Sequence, residues 1–265
     1  MSHTVKLDLR IEPSRSILQN LTDLDSIVLL SGITEPSKVF AEKNIAQQVN
    51  VEGVQRLIKF AIKRNAKILF FSSVEVFGEK DAPHDENSSS NPLNAYGEMK
   101  DQNEEMIRRE FPAGKYSIIR TPWIVNPVMG SRCVITQTAK GVISGKIKFA
   151  SDYLISLVSA EQVLECLEVA LTKLDAALPK HLHFVSKGFT SRFDLACQVG
   201  RILLADRYKV QEGKFDDLIL NEPRSRDTRM VSIVTWKEPF NPPENINLVL
   251  TRQLEVMKLR GDFND

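Results

Sequence analysis

The chain has 265 residues, of which 42% are hydrophobic and 26% charged, with a formal net charge of +1. Such a length suits one large domain or a domain with a smaller lobe, built around a sizeable core. The near-neutral charge argues against nucleic acid or an anionic membrane as partner, and no apolar run reaches membrane-spanning length.

Met1–Lys6 lacks the apolar core of a signal peptide. The widely spaced Cys133, Cys166 and Cys197 form no CxxC and have no His in metal-ligand spacing. They read as reduced, buried thiols in a cytoplasmic protein, with no metal site.

In chain order, Thr4–Leu9 alternates and predicts a short strand, and Pro13–Leu18 opens a short helix. Ile27–Leu30 is a continuous apolar run, as expected of a strand buried on both faces, and it ends at Ser31-Gly32. There the backbone could approach a ligand closely. Asn50–Val54 leads into a helix whose buried face is Leu57, Ile58, Ala61 and Ile62, followed by a strand at Ile68–Phe71. Strand, helix and strand in alternation predict a parallel sheet with helices on both sides. Glu79–Asn91 is polar and reads as a long loop, either a ligand-binding loop at the carboxyl end of a strand or a mobile surface loop.

Tyr96–Glu110 has helical character with Met99, Met106 and Ile107 as buried positions. A strand follows at Tyr116–Arg120 and continues to Val125. Further on come a helix over 134–145, a short strand at Lys146–Phe149, and a helix at Ser159–Leu174 burying Val163, Leu164, Leu167 and Ala170. His183–Ser186 predicts a strand, and Phe193–Leu204 a helix with Thr190 and Ser191 as capping candidates. Asn221–Arg229 is a polar loop, and Ile246–Leu259 a terminal helix after Pro239, Pro242 and Pro243.

The candidate chemistry lies between Ile68 and Lys100. Tyr96 and Lys100 stand four residues apart and share one helix face. An ammonium there favours the phenolate and so lowers the Tyr pKa. A Ser hydroxyl from the strand end at Ser72-Ser73 completes a proton-transfer site for a carbonyl or alcohol.

Six stretches carry a family likeness: Asn50–Gly53, Phe71–Gly78, Pro92–Lys100, Arg120–Val125, Thr190–Ala196 and Pro223–Thr228. In this order the chain resembles an extended short-chain dehydrogenase/reductase, in particular the dTDP-4-dehydrorhamnose reductase group among sugar-nucleotide reductases and epimerases. The resemblance implies an α/β fold: a Rossmann-like doubly wound parallel sheet, N-terminally shortened, with a small α+β substrate lobe. The Rossmann-like part would be 1–126 plus about 151–187, and the lobe 127–150 plus about 188–265.

It also implies roles. Tyr96 would be the general acid/base, assisted by Ser73, which lies five residues before Gly78. Lys100 would lower the Tyr96 pKa and hold the nicotinamide ribose. Ser31, Gly32, Asn50 and Pro122, with Tyr96 and Lys100, would line NAD or NADP. Glu75 and Trp123 would line the sugar pocket, although Trp123 equally suits a core position beside a strand. Arg224 or Arg226 would hold a nucleotide diphosphate, or else sit on a solvated loop.

The implied partners are a nucleotide-sugar substrate and a second copy of the chain in a homodimer. Val74-Glu75 stands where dehydratases carry an Asp-Glu pair, which disfavours water elimination. Asn126-Pro127 replaces a usual Gly-Pro, and Gln162 a usual acidic residue.

The largest departure is the absence of the family's glycine-rich dinucleotide loop; the first glycine is Gly32. Thr4–Leu9 looks like the family's third strand. Either it moves beside Ile27–Leu30, with Arg10–Arg15 replacing the glycine loop, or the sheet edge stays exposed. Two functions remain open: an NAD(P)-dependent reductase or epimerase, and an inactive binding or regulatory protein on the same fold. The regulatory β-subunit of methionine adenosyltransferase resembles the same reductases.

Overall fold

The computed structural model describes residues 7–11, 26–126, 133–172, 179–204 and 208–261. Its centre is a four-stranded sheet of β1 (Ser26–Leu29), β2 (Lys67–Phe71), β3 (Tyr116–Arg120) and β8 (His181–His183), paired in that order. Every pairing is parallel. Successive side chains on a strand point to opposite faces, and both faces here are apolar.

Ile68 and Phe70 face one way, with Leu29 and Ile118. That face is covered by α3 (Val54–Lys63), through Val54, Ile58 and Ala61, and by α4 (Ala95–Glu110), through Met106 and Ile107. Leu69 and Phe71 face the other way, with Ile119 and Leu182, against Val163, Cys166, Val169 and Ala170 of α6 (Ala160–Thr172). The sheet is therefore doubly wound, as the alternation of elements predicts. Each fully buried Ile, Leu or Phe contributes about 1.5–3 kcal/mol.

Ahead of α3 lie α1 (Pro36–Ala41), α2 (Lys43–Gln47) and a π-helical turn at Gln48–Gly53. A smaller body forms from β4 (Trp123–Val125), α5 (Val134–Ser144), β5 (Lys148–Ala150), β6 (Leu154–Ile155), β7 (Leu157–Ser159), β9 (Thr190–Ser191), α7 (Arg192–Val199), β10 (Gln211–Gly213), β11 (Asp227–Thr228) and α8 (Ile246–Leu259). β6 is the middle strand of a three-stranded sheet in this body, flanked by β11 in parallel and β9 antiparallel. Val134, Ile135, Leu195, Val199, Val249 and Leu254 fill its core.

Several expectations change. Leu7–Ile11 forms a turn rather than the end of a strand, because the Asp8 carboxylate accepts from the Arg10 amide at 3.0 Å and closes the chain back. Thr4–Lys6 and the helix expected at Pro13–Leu18 lie outside the described residues. Among the described residues β1 pairs only with β2; most of the segment on which the two expected repairs turn, Thr4–Lys6 and Glu12–Arg15, lies outside the described residues.

The single strand expected over 116–125 is broken at Thr121-Pro122. β4 there leaves the central sheet to pair with β7, and Pro122 brings no amide to a ladder. Leu164 and Ile62, expected inside, are 65% and 37% exposed, because Cys166 with Val169, and Val54 with Ala61, take the buried stripes. β8 ends at His183, two residues after it begins and ahead of the expected range.

The loop over 79–91 is pinned rather than mobile. His84 stacks on Phe77 with ring centroids 4.2 Å apart and pairs through its backbone with Arg229 and Val231 at 2.9 Å each. Buried Glu86 accepts from the amides of His183 at 3.1 Å and Ile233 at 2.8 Å, and from the Ser232 hydroxyl. Among the described residues no helix is long and apolar enough to cross a membrane, and no group of three His, Cys, Asp or Glu could hold a metal.

Burial pushes the Cys166 thiol up to about 12, with Glu165 adding to the shift. Only the thiolate alkylates at a useful rate. Native protein treated with iodoacetamide near neutral pH is therefore expected to leave Cys166 unmodified, and unfolded protein to label it fully, as read by peptide mass spectrometry.

Candidate active site

β2 runs on past its last residue as extended chain. The Ser72 amide donates to the Ile119 carbonyl at 2.7 Å and the Val74 amide to the Thr121 carbonyl at 2.9 Å. Ser73 then caps a short 3-10 turn at Val74–Val76, its hydroxyl accepting from the Glu75 amide at 3.2 Å. Opposite, Asn94 caps α4 by accepting from the Gly97 amide at 3.0 Å, which sets Tyr96 in the first turn and Lys100 one turn on. Gly97 allows the helix to press on the 3-10 turn. A Cβ there would stand 2.1 Å from the Glu75 carbonyl oxygen.

This docking brings Ser73, Glu75, Tyr96 and Lys100 together. The Ser73 hydroxyl lies by the Tyr96 phenol and favours its ionised form. Lys100 is buried, donates to the Phe71 carbonyl at 2.7 Å, and sits 4.8 Å from the Phe70 ring and 5.9 Å from the Tyr96 ring. Burial lowers its pKa to about 8, opposed by Glu104 one turn further along the helix. The expected phenolate is not what results. Burial, reinforced by the Glu75 carboxylate, pushes the Tyr96 pKa up, against the smaller effect of the Ser73 hydroxyl. The site thus holds an undissociated phenol beside a lysine poised near its own titration.

Glu75 accepts from the Asn94 side chain at 2.7 Å, and Asn94 also donates to the Pro223 carbonyl at 3.2 Å. That bond draws the loop carrying Arg224 over the site. Arg224 pairs with buried Glu222 at 2.7 Å, and its pKa is raised; burial alone would lower it, but Glu222 and Glu75 more than offset that. Arg226 takes a different path. Its side chain is 42% exposed, spans Asp216 at 2.9 Å and Glu79 at 3.7 Å, and lies over Phe215. Of the two arginines it is Arg224 that joins the site, while Arg226 braces the rim.

Trp123 is partly exposed and carries the Arg192 guanidinium 5.2 Å above its ring. Beside Arg224 opens a cleft of about 520 Å³, lined among others by Glu79, Leu93, Phe215, Leu218 and Glu222. A groove of about 580 Å³ between α6 and the last segment lies away from these residues.

The expected cofactor residues divide. Ser31 and Gly32 are exposed just past β1, and Pro122 is buried beside Thr121. Asn50 is buried with its carboxamide fully engaged, accepting from the Ile33 amide at 2.7 Å and donating to the Ile33 carbonyl at 2.9 Å. It shapes the loop after β1 rather than offering a group outward. Asn103 ties the same turn to α4, donating to the Asn50 carbonyl at 2.6 Å.

Lys100 and Tyr96, an ammonium and a phenol one helical turn apart, are of the kind that would suit the nicotinamide ribose of a dinucleotide. At the pyrophosphate end Arg10 does not fit, since its guanidinium is closed onto Asp8 at 2.6 Å. Arg15 lies outside the described residues.

Sequence reading missed Asn94, Tyr153, Arg192, Glu222 and Glu104. Asn94 carried a signal, as a helix-capping residue two positions before Tyr96. Tyr153 and Arg192 carried none, because only the antiparallel pairing of β6 with β9 brings them together.

A doubly wound sheet with Ser, Tyr and Lys at the carboxyl end of its strands defines the short-chain dehydrogenase/reductase class. The family model for the RmlD substrate binding domain matches residues 6–254, and the chain belongs to that family. It is 31% identical over 180 residues to dTDP-4-dehydrorhamnose reductase of Escherichia coli strain K12, an alignment covering 66% of this chain and 58% of the relative. The chain thus spans less than two thirds of that relative.

The structure is similar to that of dTDP-4-dehydrorhamnose reductase from Yersinia enterocolitica, with a TM-score of 0.83 at 24% identity over 95% of this chain and 88% of the other. It is also similar to the Bacillus anthracis dTDP-4-dehydrorhamnose reductase in complex with NADP, at a TM-score of 0.74 and 18% identity over 94% and 85%. These likenesses establish the fold.

Proposed function

We propose that the chain is an NAD(P)-dependent reductase or epimerase of a nucleotide-activated sugar, with Tyr96 as general acid/base. The observation that carries this reading is the Ser73 hydroxyl set by the buried Tyr96 phenol, with Lys100 one helical turn away. NAD or NADP would supply the hydride when bound, and Tyr96 and Lys100 would hold its nicotinamide ribose. A sugar carbonyl placed against Tyr96 and Ser73 receives two hydrogen bonds. As its oxygen becomes an alkoxide, the Tyr96 proton transfers to it. A phenol whose pKa is raised in the resting site is in the acid form that reduction requires.

Glu75, held by Asn94, accepts a sugar hydroxyl, and Trp123 stacks on or flanks the ring. Arg224 closes the open side. The relatives' reductase names support this reading, as does the position of the cleft beside Arg224.

Purified chain supplied with NADPH or NADH and dTDP-4-dehydrorhamnose is expected to oxidise the nicotinamide. Tyr96→Phe should lower kcat about 10²–10⁴-fold with an unchanged melting curve. Equal turnover by the variant would remove Tyr96 from the chemistry.

One observation favours the second reading, a binding protein on the same fold: β1 pairs on one side only among the described residues. In that case Tyr96→Phe would leave the biological activity intact.

A further inference from the structure

Arg192 opens α7, and its amide donates to the Tyr153 carbonyl at 3.0 Å, which seats the two residues back to back. The Arg192 Nη1 is shut off from solvent and has no hydrogen-bond partner. Among the described residues no carboxylate pairs with this guanidinium; the Trp123 ring lies 5.2 Å away. The Tyr153 hydroxyl beside it is also buried, with Arg224 on its acceptor side and its own O–H without an acceptor.

Other charges nearby are matched. Arg224 is taken by Glu222 at 2.7 Å, and Glu75 by Asn94 at 2.7 Å. Asp194, two residues on, accepts from Ser191 instead, at 2.7 Å. Burial lowers the Arg192 pKa to about 10, with Tyr153 opposing and Arg224 adding to the fall, so the group stays cationic at neutral pH.

A guanidinium N–H buried without an acceptor costs folding free energy. The cost is recovered when an anion arrives. Guanidinium N–H groups match the oxygens of phosphate and carboxylate, and charge-assisted bonds to them are short and strong.

We propose that Arg192, set between Trp123 and Tyr153, is an anion-binding subsite that takes a phosphate or carboxylate oxygen of the ligand on Nη1, with the Tyr153 hydroxyl as second donor. The proposal rests on the reading of the chain as acting on a nucleotide sugar and assigns a specificity to it. The ligand presents negative charge at Trp123, either from its diphosphate or from a carboxylate on the sugar.

Calorimetric titration of the full 265-residue chain with dTDP, UDP, UDP-glucose and UDP-glucuronic acid tests this, for wild type, Arg192→Gln and Arg192→Lys. Arg192→Gln is expected to weaken binding about tenfold or more, as for loss of a charged hydrogen bond, and Arg192→Lys to retain part of it. A loss shared by dTDP, UDP and UDP-glucose identifies the diphosphate as the source. A loss confined to UDP-glucuronic acid identifies the sugar carboxylate.

Without ligand, Arg192→Gln should melt no lower than wild type, because no internal partner is lost. A purely structural arginine would lower the melting point. Equal affinities in wild type and Arg192→Gln for every probe would overturn the subsite, as would absence of binding of all four to wild type. Cofactor-dependent turnover is measured separately. Arg192-dependent binding without turnover would sink the reductase reading and leave the subsite standing.

Discussion

Gly97→Ala is expected to destabilise the protein by about 3 kcal/mol, at the upper end for forcing extra atoms into a packed site, and to abolish any activity of Tyr96. The added methyl would sit 2.1 Å from the Glu75 carbonyl oxygen and 2.9 Å from the Pro92 Cβ. Neither is the yielding end of a flexible side chain. Gly97 has ordinary helical geometry, so the glycine is required by space rather than by a special backbone angle.

Relief comes only by moving α4 away from the Val74–Val76 turn. That motion parts Tyr96 from Ser73 and stretches the Asn94–Glu75 bond. A thermal melt followed by circular dichroism, together with a turnover assay, reads both effects. An unchanged melting curve with retained activity would show that the helix is not pressed on the turn.

Glu104→Gln is expected to cost about 3–5 kcal/mol, because it leaves buried Arg120 without its counter-charge. Glu104 is fully buried at the foot of the Tyr96–Lys100 face. Its carboxylate receives Arg120 Nη2 at 2.7 Å, Arg108 Nη1 at 3.0 Å and the Ser72 hydroxyl at 2.6 Å. Burial raises its pKa, but the bonds from Arg120 and Ser72 and the charge of Arg108 more than reverse this, and the net pKa is lowered.

A carboxyl whose folded pKa lies below its unfolded value of about 4.3 stabilises fully above that value. The contribution fades as pH falls through the depressed folded pKa. Urea unfolding of wild type should therefore lose stability below about pH 5, and Glu104→Gln should be weaker at neutral pH with a flatter acid limb. Parallel pH profiles for the two proteins would contradict the ion pair's role.

Much of the fold was legible because it is local. The run Ile68–Phe71 is apolar at every position, as suits a strand covered on both faces, and α4 and α8 begin and end close to the expected Tyr96–Glu110 and Ile246–Leu259. Tyr96 and Lys100 were legible for the same reason, since helical spacing alone puts them on one face.

What was illegible depends on contacts distant in sequence. Arg224 and Arg226 sit two residues apart in one polar loop, and only the Asn94–Pro223 bond and the carboxylates around Arg226 separate their roles. The direction of the Tyr96 shift was misjudged because sequence shows the neighbouring lysine but neither the burial nor the approach of Glu75. Leu164 looked buried because helical phase drifts by a fraction of a turn, and Cys166 with Val169 took its place. At Leu7–Ile11 the Asp8 side chain closes a turn on the Arg10 amide, which alternation does not show.

The most direct test of the central claim is titration of the 265-residue chain with NADPH and NADH, following nicotinamide fluorescence. Saturable binding of either, weakened in Lys100→Met, is the result predicted for a reductase or epimerase that holds the nicotinamide ribose against Tyr96 and Lys100. No binding of either cofactor at concentrations far above those of working dehydrogenases would contradict it and turn attention to the fold as a binding protein.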